Sequence, residues 1–281
     1  MVAMRHHEPA LTGPYAAGLL GLDGFREMNW PIRWATSRSG PMEAGLVRTR
    51  RWWPTSEVNG VEVAGALVVV RHLGDDLEVL QSAQKHDRIS PQDRVELALE
   101  HLLRLRLVTW KDLHFQGGCQ PGDKMLRAIL ALRGNVPPTE SYGETRSAQW
   151  IRLLGWHVWR QIPIIGATGR IVRRADFVLP FLRRRRPLVM RPQMGLLMEL
   201  DSREFHAGAF EEDHERQSTY DALGYHWVTI TPNQVEFSPT KARRAVEGAY
   251  RRAVGRPPGL LVPRPRPQFA RSKLVIARPN Q

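Results

Sequence analysis

Cysteine is almost absent from this sequence: Cys119 is the only one among 281 residues. A single thiol excludes an internal disulfide and leaves no thiolate cluster for zinc. As a nucleophile it would need a basic neighbour. Its setting, Gln116-Gly117-Gly118-Cys119-Gln120-Pro121, reads instead as a turn and gives it a structural place. Also missing is any apolar run near the roughly 18 residues a membrane span needs, so no membrane partner is expected. The opening stretch, residues 1–9, holds charges but no apolar signal core, so the expected location is cytoplasmic. No internal repeat marks a solenoid, and the chain reads as distinct segments.

The composition that remains is that of a globular protein, 42% hydrophobic and 25% charged. The length suits two modest domains or one large one. Net charge is +13, and it is unevenly placed: 17 basic face 15 acidic residues before position 140, and 24 face 13 from there on. Basic surface binds phosphate chains by releasing their counterions. It is also common in arginine-rich proteomes, so charge alone leaves nucleic-acid binding open.

Residues 11–24 are rich in Gly and Ala with a helical tendency, while 45–53 and 61–73 carry the β-branched and aromatic residues of short strands. Ser90-Pro91-Gln92-Asp93 opens a helix with a capping serine, a proline in the first turn and an acid at the positive end of the dipole. Val95, Ala98, Leu99, Leu102 and Leu103 follow at helical spacing and form one inward stripe. Helical patterns at 109–116 and 122–133 come next, and then Val136-Pro137-Pro138 breaks the chain. The expected organisation is an α+β domain over 1–139, a second domain over 140–255, and an extended tail over 256–281 that is rich in Pro and Arg and lacks acid.

Within the second domain the pattern gives helix 141–154, strands 157–165, 175–180 and 196–201, helix 210–223, strand 225–231 and helix 239–254. Ala175-Asp176-Phe177-Val178-Leu179 and Leu196-Leu197-Met198-Glu199-Leu200 are apolar runs each interrupted by one acid, as in a sheet covered on both faces, hence an α/β sandwich. Strand alternation turns Glu199 and Asp201 one way and Met198 and Leu200 the other. If the strand of Asp176 pairs alongside, three carboxylates converge. Such anions persist only with shared protons, cationic side chains or a bound metal. Oxygen ligands suit Mg²⁺ or Mn²⁺, whose natural use is phosphodiester hydrolysis. Plainer readings exist too. Glu144, three residues after Ser141, completes a capping box, and Asp176 and Asp201 have Arg173, Arg174 and Arg203 within reach as ion-pair partners.

These residues resemble the DUF559 family, a Vsr-like branch of the PD-(D/E)xK nuclease superfamily. The likeness is carried by Glu144 on an opening helix, Asp176 on a strand, Glu199-Leu200-Asp201, then His206, Asp213, Arg216 and Leu223-Gly224-Tyr225 before a strand. It implies a restriction-endonuclease-like core, a mixed sheet flanked by helices, in a metal-dependent DNA endonuclease of repair or defence. Asp176 and Glu199 would be the Mg²⁺ or Mn²⁺ ligands, Glu144 an accessory ligand, and Gln161 a lining residue. Asp213 and Arg216 would orient the site. The superfamily's usual lysine is here Asp201 and the family's usual glycine Ser202. The missing lysine leaves the water's proton to the ion's influence alone or to His206, which reads equally as a surface histidine.

Around this site Arg183, Arg184, Arg185, Arg186 and Arg191 would clamp a DNA backbone without reading bases, or form a solvated loop. On the last helix Arg243 and Arg244 lie away from the alanine face and offer a basic stripe. The front region, through Tyr15-Ala16-Ala17-Gly18-Leu19-Leu20 and Val95-Glu96-Leu97-Ala98-Leu99-Glu100, is similar to proteins related to type IV toxin–antitoxin antitoxins. That likeness implies a toxin or other protein partner. The competing function is therefore a DNA-binding, antitoxin-like regulator built on a nuclease scaffold.

Overall fold

A computed structural model describes residues 10–26, 30–36, 46–48, 55–115, 123–133, 136–166, 168–182, 187–201 and 210–254. It is mixed α/β and divides into two compact units, Met1–Thr145 and Arg146–Gln281, a few residues past the Pro137-Pro138 break. Among the described residues no helix is long and apolar enough to cross a membrane.

The first unit has strands β1 (Ala10–Thr12), β2 (Arg33–Thr36), β3 (Leu46–Arg48), β4 (Thr55–Val58) and β5 (Val61–Ala64) in one mixed sheet, ordered β3-β2-β1-β5-β4. Helices α1 (Gly13–Leu19), α2 (Ala66–Leu73), α3 (Leu77–Asp87), α4 (Pro91–Arg104), α5 (Trp110–Phe115) and α6 (Asp123–Arg133) accompany it. Helix α4 starts where its sequence says: Ser90 Oγ accepts the Asp93 N–H at 3.1 Å, and Val95, Ala98, Leu99 and Leu102 are buried in the core.

Residues 61–73 depart from the expected strand. The strand stops at Ala64, Gly65 is the N-cap, and Leu67 to Leu73 are buried all around in α2. A valine gives up at most about 0.7 kcal/mol of helix propensity, less than the roughly 1.5–3 kcal/mol its burial contributes, so the core overrides the local preference. Residues 11–24 differ in a smaller way, giving a short strand before the helix.

Helix α7 (Tyr142–Leu153) begins in the first unit and continues into the second. There β6 (Trp159–Ile165), β7 (Ile171–Pro180), β8 (Gly195–Leu200) and β9 (Trp227–Ile230) form a sheet in sequence order, with α8 (Phe210–Ala222), α9 (Pro232–Phe237) and α10 (Pro239–Val254). The pairs β6/β7 and β7/β8 are antiparallel and β8/β9 is parallel. Alternation divides the side chains between two cores. Phe177, Leu179, Leu196, Met198 and Leu200 pack with Ile151 of α7 and Val246, Ala249 and Tyr250 of α10. Val178 and Leu197 pack with Tyr220 of α8. Both faces of the sheet are therefore covered, which is why its middle strands are apolar almost throughout.

Candidate active site

Glu199 emerges on the α8 side of β8 and is only 4% exposed. Two residues of α8, one turn apart, meet it. The Tyr220 hydroxyl donates to its Oε1 at 3.0 Å, and Arg216 Nη1 lies 3.6 Å from its Oε2. Burial, and after it the neighbouring Asp176 charge, raise the Glu199 carboxyl from 4.5 to about 8. Arg216 and the Tyr220 hydrogen bond pull the other way and do not win. Tyr220 is itself pushed far above the ordinary phenol value, by burial first and then by Glu199.

Asp176 sits where the β7/β8 ladder ends. Backbone pairing runs from Pro180↔Gly195 to Phe177↔Met198, and the same register places Asp176 opposite Glu199. There the Asp176 side chain takes over, its Oδ2 accepting the Leu200 N–H at 2.9 Å. On the other flank, Arg160↔Phe177 and Ile162↔Ala175 bracket Gln161 and place it opposite Asp176, while Glu199 pairs with Thr229. One row thus crosses the sheet: Gln161, Asp176, Glu199, Thr229. Gln161 is 5% exposed and has φ +50°, a left-handed conformation rare for a side-chain-bearing residue in a strand. Strain of this kind persists where the surroundings hold it, and it gathers at functional sites.

Asp201 follows on the same strand, its N–H donating to the Ile230 carbonyl at 2.9 Å. With Glu199, Arg216, Gln217, Tyr220, Trp227 and Thr229 it lines a cavity of about 10 Å³, room for roughly one water-sized occupant. The sequence does not point to Tyr220, Gln217, Trp227 or Thr229 by any motif. Tyr220 was findable, since four residues after Arg216 on a helix means the same face.

Glu144 adopts the capping role. Its N–H donates to Ser141 Oγ at 3.1 Å and its Oε2 accepts the Glu140 N–H at 3.0 Å. Among the described residues, no group of three or more acidic, histidine or cysteine side chains is gathered as a candidate metal centre, so the expected convergence of Asp176, Glu199 and Asp201 is not formed. His206 and Arg183 to Arg186 lie outside the described residues, as does the Asp213 side chain. Arg191 is exposed just before a 3₁₀ turn (Pro192–Met194). Arg243 is tied to Glu247 at 2.7 Å, whereas Arg244 is exposed. Comparison with family models, with curated proteins and with solved structures found no match for this chain.

Proposed function

We propose that the second unit is a divalent-metal-dependent DNA endonuclease with a restriction-endonuclease-like core, and that Asp176 and Glu199 hold the ion. The observation that carries this reading is the pairing of two carboxylates from adjacent strands, where burial and mutual repulsion raise Glu199 to about 8. Glu199 lines a small cavity with Asp201, and Asp176 stands opposite Glu199 on the neighbouring strand. Hard oxygen donors of this kind suit Mg²⁺ or Mn²⁺, and such an ion would relieve the repulsion between Asp176 and Glu199. When bound, the ion polarises a phosphoryl oxygen and stabilises the leaving oxyanion.

The chain's own residues do the rest. Tyr220 and Arg216 fix the Glu199 carboxylate from the α8 side. The Asp176 hydrogen bond to Leu200 N–H locks its orientation. Asp201, in place of a lysine, lines the cavity beside Glu199 and orients an attacking water, while His206 is the candidate proton acceptor. Glu144 is left out of the ligand set because its hydrogen bonds with Ser141 and Glu140 give it the work of a residue at a helix start.

The test is plasmid cleavage with Mg²⁺ or Mn²⁺. Asp176→Asn and Glu199→Gln should each reduce the rate by at least about 100-fold while the melting temperature stays at or above wild type. Cleavage at wild-type rates in both variants would refute the assignment. A second reading, a DNA-holding scaffold without catalysis, is favoured by the completeness of Glu199's partners, Tyr220 and Arg216. It requires metal-independent DNA binding and no calorimetric signal for Mg²⁺.

A further inference from the structure

Away from the acidic row, the junction between α9 and α10 forms an open groove of about 420 Å³, lined by Phe237, Ser238, Pro239, Thr240, Lys241 and Arg244. That volume falls within the roughly 300–1,000 Å³ of ligand sites. Phe237 is the last residue of α9 and is 76% exposed, while Val235 two residues earlier is buried and anchors the helix. A lone exposed aromatic needs no explanation, but this one shares its groove with two cations. Lys241 and Arg244 stand three apart on α10 and have no acidic partner among the described residues, whereas Arg243 and Arg251 both face Glu247. The first turn of α10 contains Lys241 and no acid, the reverse of what the positive end of a helix dipole favours. The groove therefore lacks an anion and offers a flat ring beside the place for one.

The groove belongs to helices that pack on the α10 face of the sheet, the face opposite Glu199. Its link to the acidic row is through the chain: Asp201 bonds to Ile230, the last residue of β9, and α9 leads from there to Phe237.

We propose that this groove seats one nucleotide of a single-stranded stretch of nucleic acid, the base stacked on Phe237 and the phosphate held by Lys241 and Arg244. The nuclease reading supplies the class of ligand, and the groove adds that the strand is unpaired here. Stacking accepts any base because every base has a π-face, so Phe237 holds the strand without reading its sequence. An unpaired strand suits the groove because its bases are free to leave the stack.

The test measures binding of a short fluorescent oligothymidylate by full-length protein carrying Asp176→Asn, which removes cleavage from the assay. Phe237→Ala should weaken binding about tenfold, within the range for removing one stacked base, and Phe237→Trp should restore it. The Lys241→Gln, Arg244→Gln pair should flatten the logarithmic salt dependence by about 0.7, the contribution of one phosphate no longer neutralised on a single strand. An oligomer with abasic sites should bind weakly and be indifferent to Phe237→Ala. The proposal is overturned by unchanged affinity in a normally melting Phe237→Ala protein, or by an equal loss with a duplex of the same length. Thymidine monophosphate competing as tightly as the oligomer would assign the groove to free nucleotides instead. The two readings fail separately: no plasmid cleavage by the native chain sinks the nuclease, cleavage that survives Asp176→Asn sinks the Asp176–Glu199 site, and either leaves these binding results standing.

Discussion

Burial and the Asp176 charge together let Glu199 keep its proton up to about pH 8, against an ordinary 4.5. The folded value lies above the unfolded one, so the native state binds the extra proton between these limits. This contribution to stability is complete below about pH 4.5 and is lost as pH rises through 8. Glu199→Gln keeps an acceptor for the Tyr220 hydroxyl but never charges. It should melt like wild type at pH 5 and gain on the order of a few kcal/mol over wild type at pH 9, read from thermal melts across that range. Tyr220→Phe tests the same hydrogen bond from the other side. It removes the hydroxyl that donates to Glu199 Oε1, so stability should fall by about 1 kcal/mol at pH 5. At pH 9 the loss should approach about 3, because a hydrogen bond to a carboxylate is worth more than one to a neutral acid. Equal losses at both pH values would show that Glu199 does not change charge.

Strand β8 shows how closely an element can be bound by its neighbours. At Gly195 a Cβ would come within 2.5 Å of the Leu179 carbonyl oxygen and 2.8 Å of Val178 Cγ1, and a backbone oxygen cannot move aside. Its φ of 178° is ordinary extended backbone, so the constraint is space alone. Gly195→Ala should cost about 1–3 kcal/mol in denaturant unfolding. Elements of this kind were legible because acid-interrupted apolar runs leave few other folds, and the helices and strands after residue 140 follow their sequence periods closely. Helix α2 was not legible, since Val68-Val69-Val70 reads as strand until its complete burial is known. Gln161 was placed near the site by the resemblance, but nothing in its neighbours announces a left-handed residue in a strand. In the first unit the Glu100–Arg133 pair was equally invisible. It joins α4 to the end of α6 at 2.5 Å and 3.2 Å, with Arg133 stacked 4.2 Å from Trp110 and the Thr139 N–H bonded to Glu100. Nothing in the spacing of two residues 33 apart reveals such a pair. Arg133→Ala would leave a buried carboxylate without its cation and should cost about 3–5 kcal/mol.

At the scale of the whole molecule, the two units have separate cores, the first around Leu11, Val69 and Leu99 and the second around Phe177, Leu197 and Met198. Separate cores permit separate melting, so calorimetry should resolve two transitions rather than one. Arg133→Ala should lower one of them and Gly195→Ala the other, which assigns each transition to its unit. Binding then becomes a stability measurement with an address. Mg²⁺ at about 100 times its Kd adds about 2.7 kcal/mol to whatever folds around it. For a unit of this size that moves the midpoint by on the order of 10 °C. The transition lowered by Gly195→Ala should rise with Mg²⁺, and it should stay put in Asp176→Asn because one of the two proposed ligands has lost its charge. The other transition should not respond in either protein. A rise in both transitions would mean that Mg²⁺ acts on general charge. A rise that survives Asp176→Asn would place the ion somewhere other than between Asp176 and Glu199.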